Sequence, residues 1–283
     1  MASLKEIRAR IGSVKQTLKI TSAMRLISSA KLHSAQAAIA NMVPYEKSLR
    51  SILAKLADCE GTGDAVTPFR HSDGHRTAVV LVTSNQSLCG AFNSGLTRAF
   101  EQEAFPVDST VVYAIGRFGL KAARKLGYET VDLCKMAEKA NYDASVELSE
   151  SLTKSFLSGK LGRVVAIYSH FVSNSVQSVT VSDYLPFAGD IASGSGGAND
   201  EYLIEPDPAE VLSALLPKVL KLSFHTMLLD AQAAEHAART IAMQMATDNA
   251  EDLLSELSLQ YNKLRQQAIT NELLDLVGGQ INN

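Results

Sequence analysis

The residues with the clearest chemical potential form the run Ser-Leu-Cys-Gly-Ala-Phe-Asn between Ser87 and Asn93. This run follows a predicted β-strand and opens a predicted helix, where backbone N–H groups often bind phosphate. It has neither the GxxxxGK[ST] nor the GxGxxG spacing of nucleotide-binding loops. A weak phosphate-loop hypothesis therefore stands beside a structural interpretation, in which the run is a tight turn and Asn93 caps the helix.

The other reactive side chains lack the spacing of a catalytic or metal-binding site. Six histidines show no ligand pattern, and His71 and His75 are expected in a solvated loop. Three cysteines lie far apart without a CxxC pattern, which predicts reduced thiols in a cytoplasmic protein. Glu147 and Glu150 share a helix face, and a solvated face explains them better than acid–base catalysis. The sequence predicts no catalytic residue, cofactor or metal.

Composition and charge narrow the class of protein. The 283 residues are 46% hydrophobic and 20% charged, enough for a packed core in one large or two modest domains. No unbroken apolar run exceeds five residues, so we expect neither a membrane-spanning helix nor a secretory signal. Residues 1–34 hold seven basic side chains against one acidic, whereas residues 207–277 hold five against ten. Opposite charges favour pairing of the two ends over nucleic-acid binding.

Glycine and proline are absent from residues 13–43 and 218–277, which permits long helices at both ends of the chain. A heptad stripe at steps of three and four supports the first helix: Leu4, Ile7, Ile11, Val14, Leu18, Thr21, Arg25, Ser28 and Leu32. A similar stripe follows near the C-terminus: Ala231, Ala234, Ala238, Ala242, Ala246, Ala250, Leu253, Leu257, Leu264 and Ala268. An ordinary helix bundle is the alternative, but no third long helix is predicted to complete one.

The middle of the chain alternates between strand and helix patterns. Strands are predicted at 77–84, 109–116, 163–171 and 175–182, with helices at about 92–104, 117–126 and 143–159. The first three strands are almost continuously apolar, as in a sheet buried on both faces. A flexible loop is predicted at 187–200.

The fold class is therefore an α/β fold with long terminal helices. An antiparallel two-helix coiled coil forms from both chain ends, and an α/β domain is inserted between them. The predicted boundaries are 1–58 for the N-terminal helix, 70–200 for the inserted domain and 207–283 for the C-terminal helix.

Several of these segments resemble the γ subunit of bacterial F-type ATP synthases. Residues 11–31 (IGSVKQTLKITSAMRLISSAK) are similar to the family's N-terminal signature, and 235–250 with 261–272 are similar to its C-terminal signature. Residues 83–93 and 202–208 are similar to segments in the middle of the family's sequence. The sequence departs from the family at Asn85 and Gln86, where a charged residue is usual, and it has no cysteine pair in an insert. A redox switch is therefore not expected.

The resemblance implies a fold, partners and a location. The coiled coil would be the central shaft within a ring of α and β subunits, and the Rossmann-like inserted domain would be a foot that joins the ε subunit and the membrane c ring. The chain would catalyse no reaction itself. It would couple ion flow mechanically to ATP synthesis or hydrolysis in the β subunits. It would associate peripherally with the cytoplasmic face of the inner membrane, through the complex and not by insertion.

The resemblance also implies roles for particular residues. Contacts with the β subunit are expected at Met24, Arg25, Arg239, Arg265, Gln266 and Thr270. An apolar bearing tip is expected at Ile269, Leu273, Leu276 and Val277. Foot contacts with ε or the c ring are expected at Lys31, Tyr202, Glu205 and Asp207. Three alternatives stay open: core packing for Met24, a solvated helix charge for Arg265, and, for the whole chain, a freestanding α/β enzyme with a coiled-coil dimerisation stalk.

Overall fold

The computed structural model describes residues 3–57, 63–138, 140–187 and 204–281, with the backbone alone at 64, 65 and 275–281. The predicted loop, apart from Phe187, and Cys59 lie outside the described residues. The described chain divides into two compact units. One unit combines residues 1–29 with 239–283 and is called the two-helix unit; the other, residues 30–238, is called the globular unit.

Both predicted terminal helices are present. Helix α1 spans Leu4–Ala57, and the last helix, α6, spans Pro208–Ile281. Pro208 suits the first helical position, because the N–H that proline lacks has no partner within the first turn. The helices also continue through Pro44 and Pro217, beyond the proline-free runs that predicted them. By length and composition α6 could cross a membrane, with a mean hydropathy of 1.3 over 18 residues, but half of that window is buried in the fold.

The globular unit is built on a mixed five-stranded sheet. Its strands are β1 Arg76–Val82, β2 Thr110–Ile115, β3 Glu129–Asp132, β4 Leu161–Phe171 and β5 Gln177–Leu185. Their order is β3-β2-β1-β4-β5, and β5 alone of these runs antiparallel to its neighbour. The helices are α2 Gly63–Arg70, α3 Phe92–Gln102, α4 Arg117–Lys125 and α5 Tyr142–Leu157. Four strands and three of these helices were predicted from the sequence. The short β3 and α2 were not predicted. Strand β3 has two exposed and two half-buried residues and carries no hydrophobic period.

The three inner strands of the sheet, β1, β2 and β4, are covered on both faces, as their apolar sequences predicted. On one side, Val80 and Leu152 join a core cluster with residues of α1 and α6. On the other side, Val79 and Leu81 pack against α3 and α4 in a second cluster. Neighbouring side chains of β1 thus point to opposite faces, as strand geometry requires. The middle of the chain therefore buries apolar surface in two layers.

The turn from β2 into α4 requires glycine at position 116. Gly116 has φ +110°, and a Cβ there would lie 2.1 Å from the carbonyl oxygen of Thr83. The Thr83 N–H donates to the Ile115 carbonyl at 2.6 Å, and the Gly119 N–H donates to the Thr83 hydroxyl at 2.8 Å. This close approach ends β2 after Ile115, one residue before the predicted end of the strand.

Candidate functional site

The side chains of the candidate phosphate loop form hydrogen bonds with each other and with Ser84, just beyond the end of β1. The Asn93 side chain accepts from the Ser84 N–H at 3.0 Å and donates to the Ser84 hydroxyl at 2.7 Å and to the Cys89 sulfur at 3.1 Å. The predicted cap at Asn93 is wrong, because Ala91 occupies the N-cap position of α3 without a side-chain bond. Asn93 lies within the first turn and faces the buried end of β1. The segment is a turn that closes on itself.

Helix α6 fills the crevice in which α/β sheets of this kind hold ligands. That crevice lies beyond the carboxyl ends of the parallel strands. There, Thr83 and Phe92 meet Leu228, Ala231 and Glu235 of α6 around a cavity of about 10 Å³. Such a volume is about that of one water-sized sphere. A nucleotide does not fit at this position.

Polar contacts attach α6 to the rest of the globular unit. The Asp230 carboxylate lies 2.6 Å from His170 Nδ1 and accepts from the Phe171 N–H at 3.0 Å. The Tyr184 hydroxyl donates to the Leu220 carbonyl at 3.0 Å, and burial raises the pKa of this phenol. These bonds join α6 to the last two strands.

An ion pair and a hydrogen bond also join α5 to α6. The Lys221 Nζ lies 2.5 Å from Glu150, and this bond lowers the pKa of the Glu150 carboxyl. Glu150, considered above for acid–base chemistry, therefore braces the two helices. Burial lowers the pKa of His225, whose Nδ1 lies 3.1 Å from the Ser145 hydroxyl.

Two further features of the globular unit bear on chemistry. A cavity of about 460 Å³ lies between α1, β4 and α6, but its charged groups are already paired, Arg50 with Glu46 and Asp230 with His170. Cys89 and Cys134 are free thiols, and burial with the adjacent Asp132 raises the pKa of Cys134 to about 11. Within the described ranges, no three His, Cys, Asp or Glu side chains are grouped to hold a metal.

The seam of the two-helix unit follows the predicted heptad stripe. On α1, the residues at stripe positions are buried or half-buried: Leu4, Ile7, Ile11, Val14, Leu18, Thr21, Arg25 and Ser28. On α6 the seam runs through Ala250, Leu254, Leu257, Tyr261, Leu264 and Ala268. The sequence assigned Leu253 to this stripe, which is wrong, because Leu253 is 45% exposed. Leu253 and its neighbour Leu254 both fit a spacing of three and four residues. Only the pairing of α6 with α1 shows that Leu254 lies in the seam.

Polar side chains cross this seam at two levels. The Thr21 and Thr247 hydroxyls are 2.9 Å apart. One turn along, Arg25 Nη1 donates to Gln244 Oε1, and the Gln244 amide donates to Asp248 Oδ1 at 2.6 Å. The sequence indicated the polar interruptions at Thr21 and Arg25 but not their partners. The only signal for Gln244 and Asp248 was their spacing of four residues on one helix.

The residues expected to contact the β subunit differ in exposure. Met24 and Arg25 are half-buried, whereas Arg239 is only 5% exposed. Arg265, Gln266 and Thr270 are exposed, and the Thr270 hydroxyl donates to the Gln266 carbonyl at 2.9 Å. The structure does not bring these six residues into one cluster. Their contacts with a partner stay a prediction.

The predicted tip and foot residues are only partly described. Ile269 and Leu273 are exposed, as is Leu274, for which the sequence predicted no contact. The side chains of Leu276 and Val277, and all of Tyr202, lie outside the described part of the chain.

Lys31, Glu205 and Asp207 are exposed, as a contact surface requires. Asp207 also accepts from the Ala209 N–H at 3.0 Å, at the start of α6. A cap of this kind stabilises the helix end independently of any partner. The contacts of these residues with ε or the c ring stay a prediction.

Large apolar side chains also point outward from the two-helix unit. They are exposed on both helices and were not singled out from the sequence: Ile20, Leu26, Ile27, Ile241, Met245 and Leu259. Monomeric soluble proteins rarely leave so many large apolar groups uncovered in one region. Exposed apolar side chains in such number are typical of a surface that other subunits cover.

Comparison with known proteins agrees with this geometry. The family model described as ATP synthase matches residues 3–281. The chain is 44% identical to the ATP synthase gamma chain of Phocaeicola vulgatus, over 99% of both chains.

Solved structures show the same fold at lower sequence identity. A chain of the Euglena gracilis mitochondrial ATP synthase OSCP/F1/c-ring structure in rotational state 3 is 17% identical, with a TM-score of 0.64 over 98% of this chain and 93% of that one. A chain of the rotor of the same enzyme in rotational state 1 is 16% identical, with a TM-score of 0.62 over 94% and 98%. The full-length match to curated relatives goes beyond the shared fold, and the chain belongs to the ATP synthase gamma chain family.

Proposed function

We propose that the chain is the central shaft of a bacterial F-type ATP synthase. One observation carries this proposal: the match to gamma chains extends over 99% of the sequence and includes both terminal helices. The shaft couples ion flow through a membrane c ring to ATP synthesis or hydrolysis in the β subunits. It has no catalytic site of its own, in keeping with the crevice that α6 fills.

The two units have different partners in this proposal. The two-helix unit stands within a ring of α and β subunits, which cover its outward apolar side chains. The foot on the globular unit, with Lys31, Glu205 and Asp207, joins the ε subunit and the c ring. The whole assembly holds the chain at the cytoplasmic face of the inner membrane without inserting it.

The mechanism follows from unequal contacts around the shaft. The outward face of α1 carries Ile20, Ile27 and basic side chains, whereas that of α6 carries Met245 and acidic ones. Each β subunit therefore meets a different surface at each shaft angle, and it is stabilised in the conformation that fits best. Rotation changes which β subunit receives which contact.

The alternative of a freestanding enzyme with a dimerisation stalk loses its support. Its expected ligand crevice is filled by α6, and the candidate loop is hydrogen-bonded to itself. Such an enzyme would bind a small ligand or turn over alone.

Purification and rotation test the proposal directly. An affinity tag on this chain should recover α, β, ε and c subunits in one ATPase-active complex. Lys160 is exposed on the globular unit, so a probe attached through Lys160→Cys should rotate in one direction when ATP is added. Two results together would contradict the proposal. The tagged chain would be recovered without other subunits, and cells that lack this chain would still contain an intact ATP synthase.

A further inference from the structure

A chain of hydrogen bonds fixes one basic side chain of the two-helix unit. Arg25 Nη1 on α1 donates to Gln244 Oε1 on α6, and Gln244 Nε2 donates to Asp248 Oδ1 at 2.6 Å. Arg25 is half-buried, and Asp248 is exposed. The bonds therefore run from the seam to the surface, through one amide.

The chemistry of the amide decides what the bonds achieve. A glutamine side chain offers an oxygen that accepts and a nitrogen that donates. The Asp248 carboxylate only accepts, so it binds the amide nitrogen and turns the amide oxygen toward Arg25. Asp248 thus selects one of two amide orientations, and the selected one suits a guanidinium.

A neutral acceptor means that Arg25 forms no direct ion pair with the residue that holds it. A carboxylate at position 244 would orient the guanidinium equally well but would also offset its charge through a direct ion pair. Through the amide, Arg25 is held in direction while its remaining N–H donors and full charge stay available. This combination suits an arginine that must meet a carboxylate outside the chain.

We infer that Gln244, oriented by Asp248, is a positioning residue that directs the Arg25 guanidinium toward a carboxylate on the β subunit without neutralising it. This inference rests on the proposed function, because it requires Arg25 to meet a β subunit. Gln244 itself acts through Arg25 and does not touch the catalytic site.

The test uses assembled complexes in sealed vesicles that carry Arg25→Ala, Gln244→Met, the double substitution, or Gln244→Glu. Methionine matches glutamine in size, but its sulfur is only a weak acceptor for Arg25 and it has no N–H for Asp248. The matched control is Gln260→Met, because Gln260 is exposed on the same helix and its amide donates to Glu256, one turn away on that helix, at 3.2 Å. ATP synthesis per assembled complex is measured, with ATP hydrolysis as the check on assembly.

We expect Gln244→Met to lower ATP synthesis about threefold or more, the size of a modest coupling between neighbours. It should lower synthesis no further when Arg25 is already alanine, and Gln260→Met should have no effect. Gln244→Glu should also lower synthesis, and the loss should shrink at high salt, where charges are screened. The same substitution combined with Asp248→Asn avoids two adjacent carboxylates, so it would keep or strengthen a merely structural bridge between the helices. Synthesis should still be lowered in that pair, because the charge of Arg25 is offset.

Two results would overturn the inference in distinguishable ways. If Arg25→Ala lowers synthesis but Gln244→Met does not, or lowers it additively, Gln244 does not act through Arg25. Full synthesis with Gln244→Glu would have the same meaning. If Arg25→Ala itself has no effect, the proposed contact of Arg25 with the β subunit fails, and the positioning role fails with it.

Discussion

In the globular unit the inner strands of the sheet are covered on both faces, whereas in the two-helix unit each helix buries only one stripe. Leu152 in the globular core is 0% exposed, while Leu259 on α6 is 70% exposed. The seam of the two-helix unit is also crossed by a charged side chain, the half-buried guanidinium of Arg25, which bonds to Gln244 on the other helix. The globular unit buries most of its large apolar side chains, whereas the two-helix unit leaves several of them exposed on both helices.

The largest expected difference comes from the same substitution made in each unit. Leu152→Ala should lower the free energy of unfolding by about 2–5 kcal/mol, because it leaves a cavity in a packed core. Leu259→Ala should change it by less than about 0.5 kcal/mol, since no buried contact is lost. Urea unfolding of the full chain measures both. Equal losses would show that the outward leucine is buried by this chain itself.

The next largest effect concerns contacts with the β subunit. Arg265→Ala or Gln266→Ala should remove a directional bond worth about 1.5–3 kcal/mol to a charged partner and lower coupled ATP synthesis accordingly. Deletion of residues 278–283 should do much less, because an apolar bearing has no donor geometry to lose.

The rate of ATP synthesis by assembled complexes in sealed vesicles is measured for the substitutions and for the tail deletion. Lys263→Ala is the control, since Lys263 is exposed nearby on α6 and lies outside the proposed contact set. The distinction fails if the tail deletion is the more damaging change while assembly is unaffected.

A smaller effect should come from the hydroxyl pair in the seam. Thr247→Val leaves the Thr21 hydroxyl without its cross-helix partner and should cost about 1 kcal/mol locally. The double substitution Thr21→Val with Thr247→Val should recover most of that loss, because both polar groups leave together. Hydrogen exchange of amides in residues 239–257 reports the local free energy. If the double variant is as unstable as the single one, the loss does not come from leaving one hydroxyl without its cross-helix partner.

The smallest expected effect is a pH dependence confined to the globular unit. Burial holds the pKa of His225 below its ordinary value of 6.5, so the unfolded chain binds the proton more readily. The stability from the neutral imidazole is therefore fully present above pH 6.5 and is lost as pH falls through the folded pKa. Unfolding of the full chain at pH 7.5 and pH 5.5 should show a smaller loss in His225→Gln than in the parent.

Exposed His33 supplies the control for this measurement. His33→Gln should keep the pH dependence of the parent chain. An unchanged pH dependence in His225→Gln would instead assign the loss of stability to other groups.

Much of the architecture was predictable because it depends on local pattern. The proline-free runs and the stripe from Leu4 to Ser28 predicted α1 and its buried side, and apolar runs predicted four strands. Strand β3 was missed because its four residues carry no period, and Leu253 was misplaced because two neighbouring leucines fit the same spacing. The match to gamma chains was predictable from the terminal signatures, since their residues are contiguous in the chain.

What the sequence determined by itself was the class of the protein and the long terminal helices, because hydrophobic period and breaker placement act over short distances. Only the tertiary structure decided which polar groups meet. The Gln244 amide lies 219 residues from Arg25 along the chain, and no local pattern joins them. Nor could the sequence reveal that α6 fills the crevice at the carboxyl ends of the strands, because that packing brings distant segments together and depends on the shape of both surfaces.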